Sequence, residues 1–400
     1  MRTRRHSHPL PFTVNVCHRK TLLQFQGRSA LKVNRIYWYA GLVLAAISLI
    51  ACGGGSDSGA PPVTQPPVAD HIAELDARLD DLNVADYAVV IGDANGVLLS
   101  REFGNFSVTD SYLIASATKW LAAMVIMDLV EQGVMSLDDR PQDYLAWWTT
   151  DPADPRSAIT LDQLLSFTAG FDTGPEDASC VTDGSITLDD CARAFYDGGL
   201  AYQPGSTFYY GPAHLQVAGR MAEVASQLDF ADLALLQQTF RFGLQSTLFL
   251  VPVGANPRIA GGAVSSAEDY GVLMQSILSG SYLSGVLDEM ERVRTGPPVV
   301  IGFRPSAIDN NNIDARYALG HWRECEQAIW DSSCDSRQVS SSPGAFGWNP
   351  WIDFDNGYYG IIAMQETQVN GGSPTDATLA FAITLRSFIE AALPELRAQQ

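Results

Sequence analysis

Ser116 and Lys119 stand three residues apart in Ser116-Ala117-Thr118-Lys119, at the start of a helical pattern that runs from Trp120 to Gln132 and stops at Gly133. Positions i and i+3 share a helix face, so the hydroxyl and the amine can meet. A serine hydroxyl attacks a carbonyl carbon poorly until a neighbour accepts its proton. A lysine can accept one only when desolvation or nearby positive charge has lowered its pKa. Arginine cannot serve, because it keeps its proton in proteins. Beyond residue 52 the chain holds sixteen arginines and a single lysine, Lys119. The pair reads as a nucleophile beside a base. The plainer reading is a chance Ser-x-x-Lys with a solvated lysine, and the rest of the chain has to decide between them.

Holding such a pair takes a rigid frame. Tyr112-Leu113-Ile114-Ala115 is a short strand-like run leading into the helix. Before it, Ile72, Leu75, Leu79 and Leu82 share one helical face within 70–82. Residues 87–91 and 97–103 flank Asp93-Ala94-Asn95-Gly96 as a hairpin with an Asn-Gly turn. From Asp138 to about Gly199 the pattern is short helices and loops, with Thr160 capping Leu161 to Phe167. Helices are predicted over 213–226, 230–240, 266–278 and 284–293, and strands over 317–322, 347–352 and 358–365. Ser373-Pro374 then starts a last amphipathic helix ending near Leu393. Strands at both ends of the chain around a helical middle imply one sheet in which the first hairpin pairs with the last strands. No internal repeat is visible.

The first 51 residues carry eight Lys or Arg and no acid. Tyr37 to Ala51 is an apolar run of fifteen, short for a membrane span and the length of a signal-peptide core. It ends in Leu49-Ile50-Ala51-Cys52-Gly53, which resembles a bacterial lipobox and implies cleavage before Cys52 and lipidation of that cysteine. Residues 1–32 make a long basic segment ahead of that core, so the true start codon is left open. Residues 52–68 are rich in Gly, Ser and Pro and read as a tether. The expected organisation is a signal peptide over 1–51, a tether over 52–68 and one domain over 69–400, with about 138–300 forming a helical lobe. The expected location is the bacterial cell envelope, lipid-anchored and facing the periplasm or exterior, with the outer membrane the first choice.

Without the leader the chain has 45 acids against 25 − 8 = 17 bases, a formal charge of −28. So acidic a body repels nucleic acid and anionic surfaces. The domain from Ala69 on holds four cysteines, Cys180, Cys191, Cys325 and Cys334. In an exported chain two close pairs suggest local disulfides, most simply Cys180 with Cys191 and Cys325 with Cys334, although three connectivities are possible. Without C-x-x-C or clustered His, metal binding is the weaker reading, and no metal or cofactor is expected. The sequence leaves the oligomeric state open.

Together these landmarks resemble the serine β-lactamase and penicillin-binding-protein superfamily, specifically the branch of class C β-lactamases, D-alanyl-D-alanine peptidases and related bacterial esterases. The resemblance spans roughly Ala69 to Leu396. Ser116-Ala117-Thr118-Lys119 matches its first motif, S-x-x-K. Leu164-Leu165-Ser166-Phe167-Thr168-Ala169-Gly170-Phe171 is similar to L-L-x-H-T-S-G-L, with Phe167 and Ala169 in place of His and Ser. Pro204-Gly205-Ser206-Thr207-Phe208-Tyr209-Tyr210 is similar to the run leading into the second motif, Y-x-N. Gly261 to Asp269 resembles G-G-x-x-S-t-x-x-D. The resemblance implies an α+β fold of the β-lactamase/transpeptidase type, an antiparallel sheet flanked by helices with an inserted helical lobe. It also implies Ser116 as the acylated nucleophile, Lys119 as base or tuning charge, and Tyr210 as the phenol that passes a proton to the leaving group. The oxyanion hole would use the backbone N–H groups of Ser116 and Ala345, each such donor being worth ~3 kcal/mol of barrier.

Two departures bear on the substrate. The second motif reads Tyr210-Gly211-Pro212, and Pro212 has neither the side-chain amide nor the N–H that Asn would offer. The third motif, K-T-G or H-x-G in the family, aligns with Ser342-Pro343-Gly344, so Ser342 stands where a cation would bind a substrate carboxylate. Arg323 and Arg337 are the local candidates to replace it. His214, four residues after Tyr210, is read as a packed or capping residue that could instead face the site; His71 and His321 carry less. Residues 309–314 hint at a calcium loop, but Ile313 falls at a ligand position and no closing Glu follows. Trp147 and Trp148 read as packing, and Trp348 as packing or as a wall of an acyl pocket. No G-x-S-x-G elbow is present.

The expected partner is therefore a small neutral acyl substrate, an ester or amide hydrolysed through acyl-Ser116, and not a nucleic acid. The alternatives are a D-alanyl-D-alanine peptidase or β-lactamase, and a non-catalytic lipoprotein that keeps the fold as a binding module.

Overall fold

The computed structural model describes residues 70–174, 179–251, 255–311, 313–325, 329–336 and 339–400. The expected signal peptide, Cys52 and the tether lie outside them.

Alternating apolar residues build the centre. Tyr87–Asp93 (β1) and Gly96–Phe103 (β2) form the predicted hairpin, and β1 is buried along its whole length. Tyr87, Val89 and Ile91 belong to one core layer and Ala88 and Val90 to the other, the period of two of an extended chain. The turn closes one residue earlier than an Asn-Gly turn would. Asp93 pairs with Gly96, leaving Ala94-Asn95 as the loop, because the Asn95 N–H donates to the Asp93 carboxylate at 2.8 Å.

Five more strands complete the sheet: Asp314–Tyr317 (β3), Trp322–Cys325 (β4), Val339–Ser341 (β5), Asn349–Asp353 (β6) and Tyr358–Ala363 (β7). Their order is β2-β1-β7-β6-β5-β4-β3, with every pairing antiparallel. The first hairpin thus pairs with the last strand, Val90 opposite Ile361. Two expectations need correction. The predicted strand 317–322 is mostly the reversal between β3 and β4, closed by the Ala318 N–H donating to the His321 carbonyl at 3.0 Å. The predicted helix 284–293 is helical only over Leu287–Glu291.

The longer helices are His71–Leu79 (α1), Thr118–Glu131 (α2), Leu188–Gly198 (α3), Ala213–Ser226 (α4), Ala267–Leu278 (α5) and Pro374–Ala398 (α6). Leu75 and Leu79 of α1 and Leu385 and Ile389 of α6 pack on the Tyr87, Val89 and Ile91 face. By length and composition α6 is apolar enough to cross a membrane, but here that apolar surface is spent on the sheet. The opposite face meets α2 and α5. Every residue of α2 from Thr118 to Leu129 is buried, so it is a central core helix rather than an amphipathic surface one. Between α2 and α5 the chain runs through α3, α4 and the short helices Pro141–Tyr144, Leu161–Leu165 and Phe230–Leu235, a largely helical lobe.

Candidate active site

Ser116 lies in a 3-10 turn, Ala115–Ala117, that feeds directly into α2. Ala115 has φ 45°, the left-handed region that residues with a Cβ rarely occupy. Neighbours hold this turn. The Ile114 N–H donates to the Ala263 carbonyl at 3.2 Å, and the Tyr270 hydroxyl of α5 donates to the Ala117 carbonyl at 3.1 Å. One helical turn on, Lys119 Nζ lies 3.0 Å from Ser116 Oγ and donates to the Ala260 carbonyl at 2.7 Å. Burial first, and the positive charge of Arg258 second, bring the Lys119 pKa down to about 7. The amine is thus a proton acceptor near neutral pH.

Tyr210 completes the cluster, its ring centroid 4.6 Å from Lys119 Nζ. Aromatic neighbours fix the ring: Phe167 and Trp322 each at 5.7 Å and Tyr317 at 6.1 Å between centroids. Burial raises the phenol well above its ordinary pKa, with the Ser116 side chain pulling the other way, so Tyr210 is neutral and can relay a proton.

The third motif arrives from β5. The Ser342 hydroxyl donates to the Ser116 carbonyl at 3.3 Å, and the Gly344 N–H donates to the Trp348 carbonyl at 2.7 Å. A Cβ on Gly344 would stand 2.3 Å from the Ile114 carbonyl oxygen, so only glycine lets this loop touch the nucleophile turn. Beside that contact opens a cavity of about 440 Å³. Ser116, Lys119, Pro212 and Ala345 line it, with Leu113, Val181, Leu250 and Phe346 as its apolar wall and Arg258 as a second cationic side chain. The two proposed oxyanion donors, Ser116 and Ala345, therefore face one space.

Other candidates fall elsewhere. Arg323 does not replace the missing cation: it is buried in β4, donating to the Glu291 carbonyl at 2.7 Å. Arg337 lies outside the described residues. His214 packs in the core, its Nε2 3.1 Å from the Tyr209 carbonyl and its ring stacked on Phe167 at 5.1 Å; burial lowers its pKa to about 3. His71 sits on the surface beside Glu74, and buried His321 lies 3.2 Å from Glu291. Trp348 is fully buried, and Phe346 lines the cavity in its place. Trp147 and Trp148 pack with Tyr196. In the 309–314 loop Asp309 pairs with Arg304, Asp314 accepts the Trp330 N–H, and Asn312 lies outside the described residues. Cys180 is joined to Cys191 and Cys325 to Cys334, the simplest of the three connectivities. Sequence reasoning missed Arg258 and the Ala260 carbonyl. Their one signal was position, just before Gly261-Gly262.

The sequence model of the Beta-lactamase family matches residues 69–384. The chain belongs to the Beta-lactamase family. Among curated relatives, Protein flp of Staphylococcus aureus is 28% identical over 159 residues, 38% of this chain and 31% of flp. The chain thus spans about a third of the length of that relative. Among solved structures it is similar in fold to EstCE1, described as a hydrolase with promiscuous acyltransferase activity (TM-score 0.62, 16% identity, 80% of this chain and 97% of that one). It is also similar to an octameric penicillin-binding protein homologue from Pyrococcus abyssi (TM-score 0.59, 16% identity, 79% and 77%). In this Beta-lactamase-family chain the serine and the lysine with its lowered pKa line one cavity, and the tyrosine ring packs against the lysine amine.

Proposed function

We propose that the protein hydrolyses a small ester or amide through an acyl-Ser116 intermediate. The observation that carries this reading is the buried Lys119 amine, held 3.0 Å from Ser116 Oγ and brought to a pKa of about 7. Ser116 Oγ bonds to the carbonyl carbon as its proton passes to Lys119. Collapse of the adduct breaks the bond to the alcohol or amine, which takes a proton through Tyr210. Water then attacks the acyl-serine, and the carboxylic acid leaves. The N–H groups of Ser116 and Ala345 hold the oxyanion at each stage.

A cell-wall D-peptidase or β-lactamase has less support, because Ser342 brings no cation to the third-motif position where the family holds the substrate carboxylate, and Arg323 is committed to Glu291. The test exposes the purified protein to a fluorophosphonate and to a labelled penicillin, with Ser116→Ala and Lys119→Ala as controls. The expected result is phosphonate on Ser116, lost in both variants. Penicillin labelling would turn the reading to the cell wall. Absence of both labels would leave a binding module. The lipobox-like run ending at Cys52 supports an anchored protein at the cell envelope. Metabolic labelling with palmitate should mark the wild type and spare Cys52→Ala.

A further inference from the structure

Among the described residues the cavity wall carries two basic side chains, Lys119 and Arg258, and no acid, in a body with a formal charge of −28. Elsewhere arginines such as Arg78, Arg101, Arg156 and Arg220 are matched with carboxylates. Arg258 is exposed and, among the described residues, has no such match. In a molecule whose overall field repels anions, a bare guanidinium on the wall of the reacting cavity marks the place where one is received.

The main chain beneath Arg258 is tightly held. Its carbonyl accepts the Gly261 N–H at 3.0 Å and the Gly262 N–H at 2.7 Å. The Ile259 N–H donates to Oε1 of Gln216, a fully buried residue of α4. Gln216 Nε2 in turn donates to Asn256 Oδ1 at 2.8 Å and to the Pro257 carbonyl at 3.1 Å. A Cβ on Gly262 would come within 2.6 Å of the Arg258 Cβ, so the glycine leaves room for the arginine stem. The same segment supplies the Ala260 carbonyl that holds Lys119. The main chain that carries Arg258 is thus fixed relative to the nucleophile, and the planar fork of the side chain matches a carboxylate.

Building on the acyl-Ser116 reading, we propose that Arg258 is the specificity residue and binds a carboxylate on the substrate, whose apolar stem lies against Leu113, Val181, Leu250 and Phe346. The preferred substrate is then a monoanionic ester or amide, in place of the neutral one expected from the third motif alone. Arg258 takes over, from another side of the cavity, the anion binding that Ser342 cannot provide. The carboxylate belongs either to the acyl half or to the leaving half, and different substrates separate the two.

The full-length protein is assayed, at a pH above the limb set by Lys119, on nitrophenyl butyrate, on the nitrophenyl half-ester of glutarate and on the butyryl ester of hydroxybenzoate. The wild type should favour one of the two anionic esters over the neutral one in kcat/KM by roughly tenfold to a hundredfold. Arg258→Ala should bring that ratio near unity, and Arg258→Lys should fall between. A wild type without preference for either anion, or an Arg258→Ala variant that loses all three substrates in proportion, overturns the proposal. A binding arm separates this from failure of the hydrolase reading: calorimetry of the same esters on Ser116→Ala, with and without Arg258→Ala. Weaker binding of the anionic ester alone on loss of Arg258 supports the proposal even if no ester is turned over. Equal binding with and without Arg258 overturns it.

Discussion

Lys119 combines two features that govern its chemistry: it is buried, and the charge that acts on it is positive. Both push its pKa down, so the amine is protonated below about pH 7 and carries a free lone pair above it. The kcat/KM profile should accordingly fall on the acid side with a midpoint near 7. In Arg258→Ala that midpoint should move up, because a positive charge that disfavours protonation has gone. Stopped-flow assays across pH check both. Lys119→Ala should lower kcat/KM by about 10²- to 10⁴-fold, and Lys119→Arg by a similar factor, since arginine keeps its proton. The Ser-Lys spacing was legible in the sequence because two reactive types one helical turn apart have few other uses in so lysine-poor a body. Arg258 was not legible. A lone arginine in a loop looks alike whether it faces a cavity or bulk water, and only the fold brings it beside α2.

At the scale of elements, α2 was readable because the apolar stretch from Trp120 to Met127, continued by Leu129 and Val130 and stopped at Gly133, has one good solution, a core helix. β5 was not, since three residues show no period, yet β5 delivers Ser342 and Gly344 to the nucleophile. Arg323 misled for a related reason. Its partner Glu291 lies 32 residues earlier, a separation that no local pattern announces. The loop 256–262 hangs on Gln216, and truncating that side chain leaves buried groups without partners. Gln216→Ala should therefore cost about 1–3 kcal/mol, measured by urea unfolding, and raise KM by loosening both Arg258 and the Ala260 carbonyl. A destabilised variant with an unchanged KM would reduce Gln216 to a packing role.

At the scale of the molecule, the pairing of the first hairpin with the last strand follows from strands at both ends of the chain, and β1 opposite β7 closes that circuit. The Cys180–Cys191 disulfide closes a short loop within the helical lobe, and Val181 and Thr182, just beyond Cys180, line the cavity. Replacing both cysteines with serine should lower stability by roughly 2–3 kcal/mol and raise KM, read from thermal unfolding and from ester kinetics. The contact between Gly344 and the Ile114 carbonyl has a wider bearing. It sets the gap between the two oxyanion donors by main chain against main chain, like the fixed jaws of a caliper, while the apolar wall and Arg258 are side chains free to vary. Substitutions in the wall can then change which acyl group fits while the grip on the carbonyl keeps its gauge. Gly344→Ala, which forces the jaws apart, should abolish turnover of every ester alike.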